Sequence, residues 1–260
     1  AGSMTFNSAG NVEIREDSGM NVTGISQAGS SLHLSSIDDI QIAAEVAAGS
    51  LIDIDAGVDT TGGFIMTSAG SLTTTASNST ITVDTGSAGG NVTLESGSQI
   101  ETQSDGTDSV TINSSAGSIA GEGLLSAATT TLNAQSGIGL IGTETTQAIQ
   151  LATQNLTAET NNGNIALQNR SDNNVTVNTL TTNAGSISLI QDSQTAQQVA
   201  RLTTQTVSAA ADVNLTNQAG DIALEGTIRS TNLTVDASGA SGSVTDGNTG
   251  DLDISGGASF

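Results

Sequence analysis

A short phrase repeats along the whole chain: a small residue, a glycine, then serine, asparagine or aspartate, followed by alternating apolar and polar residues. It reads AGSLIDI at residues 48–54, GGNVTL at residues 89–94 and AGSISL at residues 184–189. Its glycines recur at a base interval of about 20 residues, which is typical of a chain built from stacked structural repeats. Each repeat is expected to form one coil, which buries its apolar row only by stacking on its neighbours.

The apolar residues that follow each glycine alternate with polar ones, and this period of two is typical of a half-buried β-strand. Stacked coils pair their strands in parallel, about 4.8 Å apart, and the usual crossover preference makes the winding right-handed. The predicted fold class is therefore all-β, a right-handed parallel β-helix (β-solenoid) with about 20 residues per coil and roughly 11 coils. Composition does not shift along the chain, so residues 1–260 are predicted to form a single domain.

The alternation also predicts which side chains face the core. The predicted inward residues are Val92, Leu94, Ile165, Leu167, Ile187, Leu189, Ile222 and Leu224, and the predicted outward residues are Thr93, Ala166, Ser188 and Ala223. Four long glycine intervals predict excursions at residues 122–131, 168–174, 191–199 and 236–250, as loops or, in one case, a short helical turn. Neither end shows the polar cap that a solenoid needs, so the segment is expected to come from a longer repetitive chain.

Composition excludes several functional classes. The chain has no cysteine and one histidine, which excludes a disulfide framework and a Cys/His zinc site. Its four arginines stand against 26 acidic residues, a net charge of −22 that would repel nucleic acid. No apolar run approaches the ~20 residues of a membrane helix. We therefore expect neither a nucleic-acid partner nor membrane insertion of this segment.

The repeated phrase, with threonine, serine and asparagine at the outward positions, resembles the repeat region of filamentous haemagglutinin-like proteins, the β-helical exoproteins of two-partner secretion, and of related giant bacterial adhesins. The resemblance extends over essentially the whole chain. It implies a structural or adhesive rod segment, extracellular or at the bacterial cell surface, without catalysis. The implied partners are other cells or surfaces, including glycans, and copies of the same rod through lateral or end-to-end association.

One acidic stretch is a candidate metal site. Asp53 and Asp55 are two residues apart on a predicted strand and share its outward face, and Asp59 follows closely. Carboxylates in such an arrangement bind hard cations, so a weak calcium site is one interpretation and a solvated acidic face is the other. Asp251 and Asp253 repeat the spacing with the same two interpretations. A calcium-binding surface-layer component is accordingly an alternative function.

A glycan-cleaving β-helix enzyme, similar to pectin-active lyases and hydrolases, is the other alternative. Such an enzyme needs carboxylates, an arginine and aromatic sugar platforms on one face. The chain has no tyrosine or tryptophan, its arginines fall in different repeats, and His33 is predicted to lie on the surface. An ice-binding surface needs threonines ranked from coil to coil, whereas the threonines in the sequence are predicted to lie at different positions in successive coils.

Overall fold

The computed structural model describes residues 2–103, 106–141, 146–193, 200–218, 220–238, 242–247 and 250–260. These residues form short β-strands joined by turns and bends, and no helix occurs among them. The strands fall into two compact units, Ala1–Gln135 and Ser136–Phe260. The single domain over residues 1–260 stays a prediction.

The N-terminal unit is built from strands of two to six residues. They are β1 (Gly2–Met4), β2 (Asn7–Ser8), β3 (Val12–Glu16), β4 (Met20–Val22), β5 (Ser26–Ala28), β6 (Ser31–Ser36), β7 (Ile40–Ile42), β8 (Glu45–Ala48), β9 (Leu51–Ala56), β10 (Phe64–Met66), β11 (Ser71–Thr74), β12 (Thr80–Thr85), β13 (Val92–Leu94), β14 (Gln99–Glu101), β15 (Ser109–Ser114), β16 (Ile119–Gly121), β17 (Leu124–Ser126) and β18 (Thr129–Ala134).

Every third strand of this unit pairs in parallel with the next, which produces three stacks. The first stack has the order β1-β4-β7-β10-β13-β16, the second β2-β5-β8-β11-β14-β17, and the third β3-β6-β9-β12-β15-β18. The register is continuous along a stack: Leu32 pairs with Ile52, and Ile52 pairs with Ile81. Three strands with their turns therefore make one coil, and the unit is a parallel β-solenoid.

The coils differ in length. Gly2 pairs with Met20, 18 residues further on, whereas Leu51 pairs with Thr80, 29 residues further on. A turn takes about 24 residues on average, more than the base interval of the glycines, because some coils carry extra residues between strands. Residues 57–63, which separate β9 from β10, are such an insertion. The predicted parallel β-solenoid is confirmed.

The C-terminal unit has longer strands, up to nine residues. They are β19 (Leu140–Ile141), β20 (Thr146–Gln147), β21 (Ile149–Ala152), β22 (Asn155–Thr160), β23 (Ile165–Asn169), β24 (Val175–Thr182), β25 (Ile187–Gln191), β26 (Leu202–Ala209), β27 (Val213–Asn217), β28 (Ile222–Ser230), β29 (Leu233–Asp236), β30 (Val244–Asp246), β31 (Asp251–Ile254) and β32 (Ala258–Ser259). Two parallel stacks, β21-β23-β25-β27-β29-β32 and β22-β24-β26-β28-β30, form this unit, with β31 also on β28. The short β19 and β20 pair antiparallel.

The aliphatic rows predicted to face inward do so. All eight of those residues are at most 1% exposed, in line with the burial of alternate side chains on each strand. Thr93 and Ser188 are partly exposed, as predicted. The outward assignment is wrong for Ala166 and Ala223, both fully buried.

These two alanines are buried for local reasons. The backbone N–H of Ala166 donates to the carbonyl oxygen of Ile138 at 2.7 Å, so residues 138–140 lie against this position from outside the strand. Ala223 is in register between Thr203 and Thr245, whose larger side chains flank its methyl group. An outward phase therefore does not guarantee exposure for a side chain as small as alanine.

The predicted excursions are only partly correct. The one at residues 122–131 is wrong, because it contains β17 and the start of β18. Residues 170–174 are a connection between β23 and β24, as predicted, whereas 236–250 include strand β30. In the excursion at 191–199, Gln191 ends β25 and residues 194–199 lie outside the described residues.

A column of polar side chains runs inside the C-terminal unit. Asn169, Gln191 and Asn217 are in register on β23, β25 and β27, and none of them is exposed to solvent. The Nδ2 of Asn169 donates to the Oε1 of Gln191 at 2.8 Å and to the Thr153 carbonyl at 3.0 Å. The Nε2 of Gln191 donates to the carbonyl oxygen of Ser171 at 2.7 Å. These bonds offset the cost of burying the amides.

The alternation on β9 can be tested with two neighbouring residues. Ile52 is fully buried, whereas Leu51 is 38% exposed. Ile52→Val is expected to lower the free energy of unfolding by about 1 kcal/mol because it leaves a methyl-sized gap. Leu51→Val, the matched control, is expected to change it by less than about 0.5 kcal/mol. Urea denaturation measures both, and equal losses would contradict the assigned faces.

Candidate metal site on the third stack

Asp53 and Asp55 lie on β9, and their side chains point away from the core. The residues before and between them, Ile52 and Ile54, are fully buried. Because successive side chains on a strand point to opposite faces, burial of the two isoleucines directs both carboxylates outward. The predicted outward orientation of the two aspartates is confirmed.

The neighbouring coil brings His33 to these carboxylates. His33 lies on β6 and is in register with Asp53. Its Nδ1 is 3.0 Å from Oδ2 of Asp53, and its Nε2 is 3.7 Å from Oδ2 of Asp55. The three side chains are 28%, 36% and 35% exposed, respectively, so they are partly shielded from solvent. One ligand atom from each residue can be chosen so that all three lie within 4.8 Å of one another.

The structure places Asp59 apart from this cluster. Asp59 lies in the insertion between β9 and β10 and has a positive φ of 64°. It lines an open depression of about 280 Å³, together with Asp55 and Asp84. The depression therefore lies next to the His33 cluster and shares one carboxylate, that of Asp55, with it.

The charge around Asp55 is predominantly negative. Partial burial raises the pKa of the Asp55 carboxyl above its ordinary value, and the nearby charges of Asp53 and Asp84 add to the rise. His33 and Arg15 act in the opposite direction. Because the pKa is raised by folding, ionised Asp55 costs stability above that pKa, and the cost disappears as the pH falls through it.

Asp55 and Asp84 are in register on β9 and β12, and like charges directly opposite each other destabilise a sheet. Asp84→Asn is expected to raise the free energy of unfolding by about 0.5 kcal/mol at low salt. The oxygen of the new amide still accepts the bond that Asn113 Nδ2 now donates to Asp84 at 2.6 Å. The gain should shrink in ~0.5 M salt, which screens the repulsion. Denaturant titrations at the two ionic strengths measure it, and a salt-independent gain would contradict this cause.

The second acidic pair has a different environment. Asp251 and Asp253 lie on β31, in register with Thr227 and Arg229 of β28. Arg229 Nε is 3.6 Å from Asp253 Oδ2, and both side chains are more than half exposed. An exposed pair of this kind contributes little to stability. The two D-x-D pairs thus share a spacing but face different partners, an imidazole in one case and a guanidinium in the other.

The four arginines lie in different coils, as predicted. Arg15 pairs with Glu13 at 2.9 Å and Arg201 with Glu225 at 3.4 Å. Arg170 donates to Oε1 of Gln168 at 3.5 Å. Together with Arg229, each arginine therefore contacts a side chain of its own strand segment or of a paired coil.

Regular columns of hydroxyl and amide side chains cover the rest of the third stack. Thr82, Thr111 and Thr131 are in register on β12, β15 and β18, so the prediction that threonines change position between coils is wrong here. In the next outward column, Asn133 Nδ2 donates to Oδ1 of Asn113 at 2.8 Å. Sequence analysis missed these columns because unequal coil lengths hide the register.

The proximity of His33 to Asp53 was also missed, although the sequence contains a signal for it. His33 follows Gly29 by four residues, and Asp53 follows Gly49 by four residues. The glycine marks the same corner in each coil, so residues at equal distances after it fall in one column. Alignment of the repeats on their glycines would therefore have placed the imidazole beside the carboxylate.

The chain matches no protein-family model, no curated protein and no solved structure. Among the described residues, no helix has the length and apolar character needed to cross a membrane.

Proposed function

We propose that this chain is a structural and adhesive segment of a large bacterial protein, which acts outside the cell or at the cell surface and makes contacts without catalysis. The proposal extends the resemblance to filamentous haemagglutinin-like exoproteins. It is supported by the parallel β-solenoid, the fold which that resemblance implies. The absence of cysteine is in keeping with export of an unfolded chain.

The observation that carries the proposal is the repetition of one outward pattern along the third stack. Thr82, Thr111 and Thr131 form one column, and Thr80, Ser109 and Thr129 form a second column beside it. Parallel strands set such columns about 4.8 Å apart from coil to coil. A partner with repeated hydroxyl groups, such as a glycan or another copy of the chain, meets several equivalent weak contacts, which add up through multivalency.

The lateral association of rods is expected to depend on charge. At neutral pH the net charge of −22 should keep copies apart, whereas acidification towards the sequence pI of about 4.1 should allow association. The calcium-binding surface-layer component and the glycan-cleaving enzyme stay predictions as alternative functions.

The proposal is tested with beads that carry the whole chain. We expect coated beads to attach to bacterial cells, to a glycan array or to a chain-coated surface more than bare beads do. Thr111→Ala combined with Thr131→Ala should reduce attachment because it removes hydroxyls from one column. Ser87→Ala combined with Ser115→Ala, at exposed positions outside the strands, is the matched control and should not. No attachment above bare beads on any of the three surfaces would overturn the adhesive role.

A further inference from the structure

We propose that His33, Asp53 and Asp55 form a binding site for one divalent transition-metal cation, with Zn²⁺ as the probe. The site would join two successive coils, since His33 comes from β6 and both aspartates from β9. The proposal does not depend on the adhesive function.

The spacing of the donor atoms suits a small cation. Tetrahedral ligands about 2.0 Å from zinc lie ~3.3 Å from one another. His33 Nδ1 and Asp53 Oδ2 are already 3.0 Å apart, and the set that includes Asp55 stays within 4.8 Å. Small rotations of exposed carboxylates cover the remaining difference. Only one ring nitrogen binds the cation, which leaves the other free to donate to a carboxylate, an arrangement common around metal-bound histidine.

The backbone holds the three donors in place. His33 pairs with Asp53, and Ser35 pairs with Asp55, in an unbroken parallel register. The alternate residues on both strands are fully buried, which fixes the outward direction of the donors; they are Leu32 and Leu34 on β6 and Ile52 and Ile54 on β9. A site on two paired strands loses less freedom on binding than a site on a loop.

The donor types select the class of metal. Calcium and magnesium take oxygen ligands, whereas imidazole nitrogen favours zinc, copper, nickel and iron. One imidazole with two carboxylates is therefore a better match for a transition metal than for the calcium that the acidic residues alone suggest. Three protein ligands leave an open coordination position, which faces solvent on the outer side of the stack.

The local charge also favours a cation. Asp53 and Asp55 carry two negative charges, and Asp84 adds a third in register with Asp55. Among the described groups near Asp55, His33 and Arg15 are the ones that oppose this charge. Arg15 itself pairs with Glu13 at 2.9 Å, so its charge is partly neutralised. A divalent cation would balance the two carboxylates that bind it.

The competing interpretation is an ion pair between His33 and the two aspartates with no metal. The two interpretations predict different results with the chain free of any histidine tag. We expect titration with Zn²⁺ to show one site per chain by calorimetry and to raise the melting temperature. We expect Co²⁺ at the same site to give visible absorption bands that report nitrogen and oxygen coordination. An ion pair alone predicts neither result.

Single substitutions identify the ligands. His33→Gln is expected to weaken Zn²⁺ binding at least about tenfold and to abolish the Co²⁺ bands. Asp53→Asn is expected to weaken binding as well, which provides a second variant if the first is poorly folded. Asp251→Asn combined with Asp253→Asn is the matched control, because it removes a D-x-D pair that faces arginine. This control should bind Zn²⁺ like the unmodified chain.

The outcomes separate clearly. One site that disappears with His33→Gln and persists in the Asp251/Asp253 variant supports the proposal. Zn²⁺ affinity that is unchanged by His33→Gln, or weak binding of many ions without Co²⁺ bands, would overturn it. Because His33 is the only histidine in the sequence, any imidazole-dependent signal comes from this site. Neither outcome depends on whether the chain attaches to cells.

Discussion

Gly121→Ala is expected to destabilise the N-terminal unit by about 3 kcal/mol or more, because alanine adds both steric overlap and backbone strain. Gly121 ends β16 with a φ of +110°, a conformation that residues with a side chain rarely adopt. A Cβ atom at this position would overlap the carbonyl oxygen of Leu94, the residue with which Gly121 pairs. That oxygen also accepts the backbone N–H groups of Glu122 and Gly123, at 2.9 and 3.1 Å.

The loss is measured by chemical denaturation followed by circular dichroism. Gly10→Ala is the matched control, since a Cβ on Gly10 meets no atom within 4 Å and Gly10 is not among the glycines with positive φ. This control should lie within about 0.5 kcal/mol of the unmodified chain. If the two variants were equally stable, the close approach of the coils at Gly121 would be refuted.

Gln191→Leu is expected to destabilise the C-terminal unit by about 2–5 kcal/mol, because it leaves two buried groups without a partner. The Ser171 carbonyl loses its bond from Gln191 Nε2, and the Asn169 amide loses its bond to Gln191 Oε1. Both partners are on neighbouring coils, so the loss weakens the contact between coils rather than one strand. Leucine has a similar size, which limits any contribution from a cavity.

Gln218→Leu is the control for this substitution. Gln218 is the exposed residue that follows Asn217, the last member of the same amide column. We expect a change within about 0.5 kcal/mol for the control. Thermal and denaturant unfolding of the two variants measures the difference. A Gln191→Leu variant as stable as Gln218→Leu would show that the amide column does not hold the coils together.

Much of the fold is predictable because a local pattern determines it. The alternation at Ile52, Asp53, Ile54 and Asp55 assigns each side chain to a face without any knowledge of the neighbouring coils. The glycine repeat likewise predicts stacking, since one coil alone cannot bury its aliphatic row. The strand directions, the parallel pairing and the orientation of both aspartates follow from these two signals.

The amide column illustrates what the pattern left out. Asn169, Gln191 and Asn217 each follow an inward leucine by two residues and continue the inward phase. Sequence analysis assigned faces by hydrophobicity, so polar residues were expected outward even where the phase was inward. Burial of such residues depends on hydrogen-bond partners from the coils on either side, which no single repeat shows.

The candidate metal site was only half predictable. Asp53 and Asp55 are visible as a pair, but their third partner depends on the lengths of the coils. Coils of 18 to 29 residues place the same sequence separation at different positions, which is why Asp59 looked near and His33 looked isolated. Asp59 lies in an insertion that carries it off the strand, whereas His33 is one coil away, in direct register.

The parallel register between neighbouring coils is the central claim, and pairs of spin labels test it most directly. The chain has no cysteine, so labels attach only where cysteines are introduced. Strands β12 and β15 pair Thr80 with Ser109 and Asp84 with Asn113. Labels on either of these pairs should be about 5 Å apart at the backbone, whereas the crossed pairs Thr80 with Asn113 and Asp84 with Ser109 are separated by a further ~13 Å along the strand.

Dipolar broadening in electron paramagnetic resonance spectra distinguishes these distances. The account predicts strong broadening for both in-register pairs and weak broadening for both crossed pairs. Strong broadening for the crossed pairs instead would indicate antiparallel strands and would contradict the stacked parallel coils on which the candidate metal site and the proposed function depend.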